Sequence, residues 1–137
     1  MIAIADIVQR LQDQCPELVH VDHALTSAAD FPKPAALVAP VKAVASPAAM
    51  LGVHSQMVAT TFGVYLILER RQNGATDAGA ADDFDAIIAS IRSALAGWVP
   101  DNVDGASVAF VGGELAPWSA GPAVWRDDYS IITELRI

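Results

Sequence analysis

The sequence predicts an α+β fold: a mostly antiparallel four-stranded sheet with two main helices packed on one face. Three stretches carry that expectation. Residues 56–70, QMVATTFGVYLILER, hold no proline and are rich in β-branched and aromatic side chains. They are apolar at even positions (Val58, Phe62, Val64, Leu66, Leu68) and at odd ones (Met57, Ala59, Tyr65, Ile67), as a strand in the middle of a sheet must be. In the second stretch Phe84, Ile87, Ile88, Ile91, Leu95 and Trp98 recur at helical spacing and form one stripe. In the third, Tyr129, Ile131, Thr133, Leu135 and Ile137 alternate with Ser130, Ile132, Glu134 and Arg136, the pattern of a strand with two unlike faces. Laying two helix stripes on one face of an antiparallel sheet is the simplest way to bury all three.

The remaining elements follow in order. Ile4, Ile7, Val8 and Leu11 predict a first amphipathic helix over 3–14, closed by Pro16, with Cys15 extending its apolar face. Residues 22–30 predict a short second helix capped by Asp22. Pro32 and Pro34 introduce a strand over 35–45, where Pro40 requires an edge or a bulge. At about 3.3 Å per residue the strand over 56–70 would reach about 50 Å. So long a strand either bends at Gly63 or projects from the body. Residues 72–81 are small and carry no anchor, which predicts a mobile loop. Asp82, Asp83 and Asp85 fit the first turn of the helix that follows, and Gly97 and Pro100 its end. A hairpin completes the chain: a strand over 106–111, a break at Gly112–Gly113, a loop over 114–122 and a strand over 123–137.

A chain of 137 residues suits a single domain over 1–137, able to bury about two-thirds of its unfolded surface. Its 53% apolar and 18% charged content leaves two readings: either partners cover part of the surface or the genome is alanine-rich. The net charge is -8, and no basic cluster exceeds Arg70–Arg71, which argues against a surface that tracks nucleic-acid phosphates. One cysteine excludes an internal disulfide and a Cys-based zinc cluster. Neither a signal-length apolar run nor a stretch of about 20 apolar residues occurs, so export and membrane spanning are not expected.

Candidate chemistry is sparse. His20, Asp22 and His23 offer two imidazoles and a carboxylate within four residues, enough to start a zinc or iron site. The spacing matches no strong signature, His54 is the only other histidine, and a polar loop with Asp22 as a cap explains the cluster as well. The acids at 82, 83 and 85 are explained by a helix start without Mg²⁺, and Asp127 and Asp128 point to opposite faces of a strand. Gly112–Gly113 lacks the helix start and Lys-Ser/Thr of a phosphate cradle. Cys15 has no paired base in the sequence and reads as a small buried hydrophobe. No catalytic residue, cofactor or metal is therefore expected. Contact material is plentiful by comparison: Trp98 ends the helix stripe and reads as core, whereas Trp118 sits among Pro117, Ser119 and Gly121 and reads as interfacial. Trp125 shares the face of Tyr129 yet lies beside the hairpin loop, so both places stay open for it.

The segments CPELVHV, PAALVAPVKAVA, QMVATTFGVYLILER, AADDFDAIIASIRSALAGWVP, GGELAPW and WRDDYSIITELRI, in that order and spacing, cover nearly the whole chain. Together they resemble the tail terminator, or tail-completion, proteins of tailed bacteriophages. The resemblance implies a sheet with helices on one side and a ring, usually a hexamer, on the last ring of the tail tube. Such a ring ends tube polymerisation at the length set by the tape measure protein and presents a surface to the head connector. It implies partners (a second copy of the chain, the tail tube protein, the connector or neck protein) and DNA only in passage through the lumen. It places the chain at the head-proximal end of the virion tail, and in the host cytoplasm during assembly. No catalytic residues come with it. The expected contact residues are Asn73, Gly74, Ala75, Thr76 and Asp77 of the 72–81 loop, with Trp118 and Trp125. A head-side neck protein and a small metal-dependent enzyme built on His20, Asp22 and His23 are the alternatives.

Overall fold

A computed structural model describes residues 2–24, 31–47, 55–68, 77–101, 105–116 and 123–136, with backbone only at 77–82, 123 and 136. The elements are α1 (Ile4–Gln14), β1 (His20–His23), β2 (Ala35–Ala45), β3 (Ser55–Leu68), α2 (Asp77–Leu95), β4 (Ala109–Leu115) and β5 (Ala123–Arg136). The strands form one sheet in the order β1-β2-β3-β5-β4, and only the β1–β2 pair is parallel. The α+β class, with a mostly antiparallel sheet and two main helices, is as expected. The sheet has a fifth strand, however. β1 lies where the helix over 22–30 was expected to begin, and residues 25–30 fall outside the described residues. Four residues are too few to display a period, and the Asp22 carboxylate, which accepts the His23 N–H at 2.8 Å, resembles a cap in sequence.

Both helices lie on one face. Ile7, Val8 and Leu11 of α1 and Ile87, Ile88, Ile91 and Leu95 of α2 meet Ala36, Val38, Phe62, Val64, Leu66, Tyr129 and Ile131 from the three central strands. Each fully buried large side chain contributes about 1.5–3 kcal/mol. Phe62 and Tyr129 pair across β3 and β5 and stack at 5.6 Å. The opposite face carries a smaller cluster of Leu37, Ile67 and Val124, covered by Phe31, Tyr65 and Ala116. The double-sided apolar pattern of β3 thus has cover on both sides, but only along its second half. Trp98 and Phe84 end the α2 stripe half-buried, and Gly97, at φ +81°, closes the helix in the left-handed region.

The other half of the sheet stands clear of the helices. From Pro40 to Pro47 every residue is exposed, and so are Met57 of β3 and Ile132 and Leu135 of β5. β3 keeps an unbroken register with β5 through Gly63, so of the two expectations for the long strand the projecting end is the one realised. Gly63 serves close packing: a Cβ there would stand 3.2 Å from Val41 Cγ2 and 3.3 Å from Arg126 Cδ. The irregularity falls in β2, where the register shifts between Pro40 and Lys42. Pro40 sits just beyond the last residue that β1 pairs, where a missing N–H breaks no ladder.

Three boundaries differ from expectation. α2 begins at Asp77, so residues 77–81 are helical where a loop was expected, and the acids at 83 and 85 lie beyond the first turn. Alanine-rich AGAA has no apolar stripe to announce a helix, yet alanine costs a helix nothing. β4 starts at Ala109 rather than 106 and runs through both glycines to Leu115, with its register shift between Phe110 and Gly112. The glycines therefore belong to a bulged strand and not to a break.

Candidate assembly surface

Of the residues expected at a contact surface, Asn73, Gly74, Ala75, Thr76 and Trp118 lie outside the described residues, and Asp77 is the first residue of α2. Trp125 is half-buried on the helix-bearing face of β5, with its ring edge-on to Phe84 at 5.5 Å. His20 and Asp22 share one face of β1, with 3.9 Å between Nε2 and Oδ2, while His23 falls on the other by strand alternation. The His20 ring stacks on Phe31 at 5.2 Å. Among the described residues no three His, Cys, Asp or Glu side chains gather as a metal site, and no helix is long and apolar enough to cross a membrane. Cys15 is buried, and burial pushes its thiol pKa up, partly offset by a hydrogen bond with Ser90.

The polar feature that governs this region is Asp127. Its side chain, wholly buried between α2 and the sheet, accepts hydrogen bonds from Arg92 Nε at 2.8 Å and Nη2 at 3.0 Å. It also accepts from Trp125 Nε1 at 2.7 Å and from the Tyr129 hydroxyl at 3.1 Å. A bidentate guanidinium and two neutral donors satisfy the carboxylate, which makes its burial tolerable. Arg92 continues outward over the Phe110 ring, 4.5 Å from its centroid, and so ties α2 to both β5 and β4. Opposite Asp127 in the register is Gly113, where an added Cβ would press on the Asp127 carboxylate and stand 2.9 Å from Trp125 Cζ2. Sequence reasoning placed Asp127 on one face and Asp128 on the other but did not join it to Arg92. The signal was available: Asp127 alternates in phase with Tyr129 and Ile131, and a carboxylate on a core face requires a cation.

Exposed apolar side chains gather at two places in the sheet. One is the projecting end, with Val41, Val44, Met57, Ile132 and Leu135; Val44 and Ile132 are 58% and 55% exposed. The other is β4, with Phe110, Val111 and Leu115, the last 68% exposed. Among the described strands β4 is a sheet edge along its whole length. β2 is an edge only in part: β1 covers Ala35 to Val38, the Ala24 N–H reaches the Val38 carbonyl at 2.9 Å, and no described strand pairs with 39–45 on that side. Open strand edges bearing apolar side chains are interaction surfaces unless something blocks them.

The model of the phage tail terminator protein family matches residues 1–137. The chain belongs to the phage tail terminator family. No curated protein matches the sequence. Membership assigns the chain a tail terminator role and a place in the phage tail, in agreement with the resemblance read from its segments. Within that role, the projecting end and the β4 edge are where exposed apolar side chains gather in the sheet of this tail terminator, among the described residues.

Proposed function

We propose that this chain is a non-enzymatic ring subunit, a hexamer by family resemblance, that caps the tail tube at its head-proximal end. The ring ends tube polymerisation and offers the joining surface for the head connector. One observation carries the reading: the sheet extends beyond the helices that cover it, leaving apolar side chains at its projecting end and along the β4 edge. A subunit with two unlike adhesive surfaces makes heterologous contacts, which close into a ring or grow into a filament. Residues 73–76 and Trp118 would add contacts to neighbours or to the tube. The acidic balance of -8 suits a lumen through which DNA must slide without being gripped.

The test is genetic and structural. A phage or prophage lacking the gene is expected to give tails of irregular length that fail to join heads, seen by electron microscopy of lysates. Tails of normal length, joined to heads, would remove the role. A finer variant replaces residues 73–76 with glycine and serine and leaves α2 whole. It is expected to keep the fold by circular dichroism while weakening ring formation, and unchanged rings would remove this segment from the contact.

A further inference from the structure

We infer that neighbouring copies of this chain join edge to edge, β4 of one subunit pairing with the free half of β2, residues 39–45, of the next. The inference rests on the ring reading above and specifies its contact.

Strand polarity fits first. β2 and β5 run one way and β3 and β4 the other, because each of the pairs β2–β3, β3–β5 and β5–β4 is antiparallel. Subunits related by rotation about a ring axis keep the same direction along it. β4 of one therefore meets β2 of the next antiparallel, and the pairing gives open N–H and C=O groups along the overlap a partner. The free run 39–45 is as long as β4, and setting Lys42 against Glu114 overlaps residues 41–45 of one edge with 111–115 of the other.

Side chains agree as well. The bulge at Pro40/Lys42 places Lys42 and Val44 on the face of Thr61 and Ala59, away from the helices. On β4, Gly112 and Glu114 lie on that same face, opposite Asp128 and Arg126. A register that sets Lys42 against Glu114, whose carboxylate already accepts from Arg126 Nη2 at 3.0 Å, brings a second cation to that acid on one face. It also sets Val44 against Gly112, where nothing lies within 4 Å of an added Cβ, so the valine has open space to fill.

The implied geometry is that of a closed sheet. Within one subunit Glu114 is level with Arg126, Tyr65 and Leu37, whereas Lys42 is level with Thr61, four residues along β3 from Tyr65. Pairing Lys42 with the neighbour's Glu114 therefore staggers successive subunits by four residues over the four strands β2, β3, β5 and β4. One residue per strand, about 3.3 Å against a strand spacing of about 4.8 Å, corresponds to a tilt of about 35°. Closed barrels tilt by about 35–45°.

The experiment uses the full-length chain, with Val44→Cys and Gly112→Cys separately and together; Cys15 is buried and stays out of the exchange. Under oxidation, at high concentration or on tube ends, the double variant is expected to give a covalent ladder ending at the ring number. Each single variant is expected to remain uncross-linked, and an equal mixture of the two to give one dimer. Rings that form without this cross-link overturn the edge contact and leave the ring reading intact. So does a single variant that cross-links to itself, or a Gly112→Cys chain that cross-links to the tube protein instead. Absence of self-association under every condition, tube ends included, overturns the ring reading itself. Charge exchange gives a second measure: Lys42→Glu should weaken association about tenfold, and adding Glu114→Lys should restore it. A double exchange no stronger than the single one overturns the proposed register. Circular dichroism confirms that each variant is folded.

Discussion

Asp127 is completely buried, while Arg92 leaves 38% of its side chain in solvent. The two halves of this ion pair are therefore unequal. Arg92→Ala strands a carboxylate in the core and should cost about 3–5 kcal/mol by urea denaturation. Asp127→Asn keeps the shape and lets the guanidinium turn to water, for a smaller loss of about 1–3 kcal/mol. Equal losses would mean that the acid is solvated in the native state. Gly113→Ala should cost about 1–3 kcal/mol because the methyl displaces Trp125 or Asp127, whereas Gly112→Ala should stay within about 0.5 kcal/mol. The Tyr129 hydroxyl has its pKa raised, first by burial and then by the Asp127 charge and hydrogen bond. Its neutral form is the one that the fold favours. Its contribution is thus complete below the ordinary phenol value near about 10 and is lost as pH rises above it, at up to about 1.4 kcal/mol per pH unit. Denaturation curves from pH 9 to 11 should show this slope, and Tyr129→Phe should reduce it.

The two helices and the central strands were legible because their stripes are long. α2 shows the stripe most clearly, and Ile91 and Ile88 sit at its centre in the core. Ile91→Ala or Ile88→Ala should cost about 2–5 kcal/mol, since the neighbouring strands and α1 cannot collapse into the space. Losses below about 0.5 kcal/mol for both would mean that α2 does not pack on the sheet. β1 was not legible because a short strand borrowed by β2 leaves only one buried apolar residue, Val21, in its sequence. The start of α2 was hidden by small residues, and β4 by glycines that one expects at a turn. The assembly surface escaped for a different reason. An exposed valine and a buried one look alike in sequence, and only the register reveals which half of β2 the helices leave bare.

At the scale of the molecule, surface left uncovered by the fold makes stability depend on concentration. If association buries the projecting end and β4, the folded state gains free energy as protein is added, and Tm should rise with concentration. Calorimetry and sedimentation velocity over the same range should move together, from a monomer when dilute to a closed assembly when concentrated. A Tm independent of concentration alongside visible rings would mean that the contacts add little to the fold. Addition of a chelator should leave both measurements unchanged, and a loss of Tm on chelation would revive the site at His20, Asp22 and His23.

The bulge in β2 has a consequence for how this surface can change by mutation. Val41 is the one residue of β2 between Pro40 and Lys42 without a partner in β3, and it sets the phase of everything after it. Substitutions alter one outward side chain at a time. Deletion of the single codon for Val41 would instead close the bulge: Lys42 would follow Pro40 directly, still opposite Thr61, and Val44 would still oppose Ala59, so both would keep their outward face. The outer face would keep its charge and its valine, and what would go is the kink and extra twist that the bulge gives this edge. A loss of assembly from that deletion, with the fold retained, would mark a surface specified by the bend of its edge as much as by residue type.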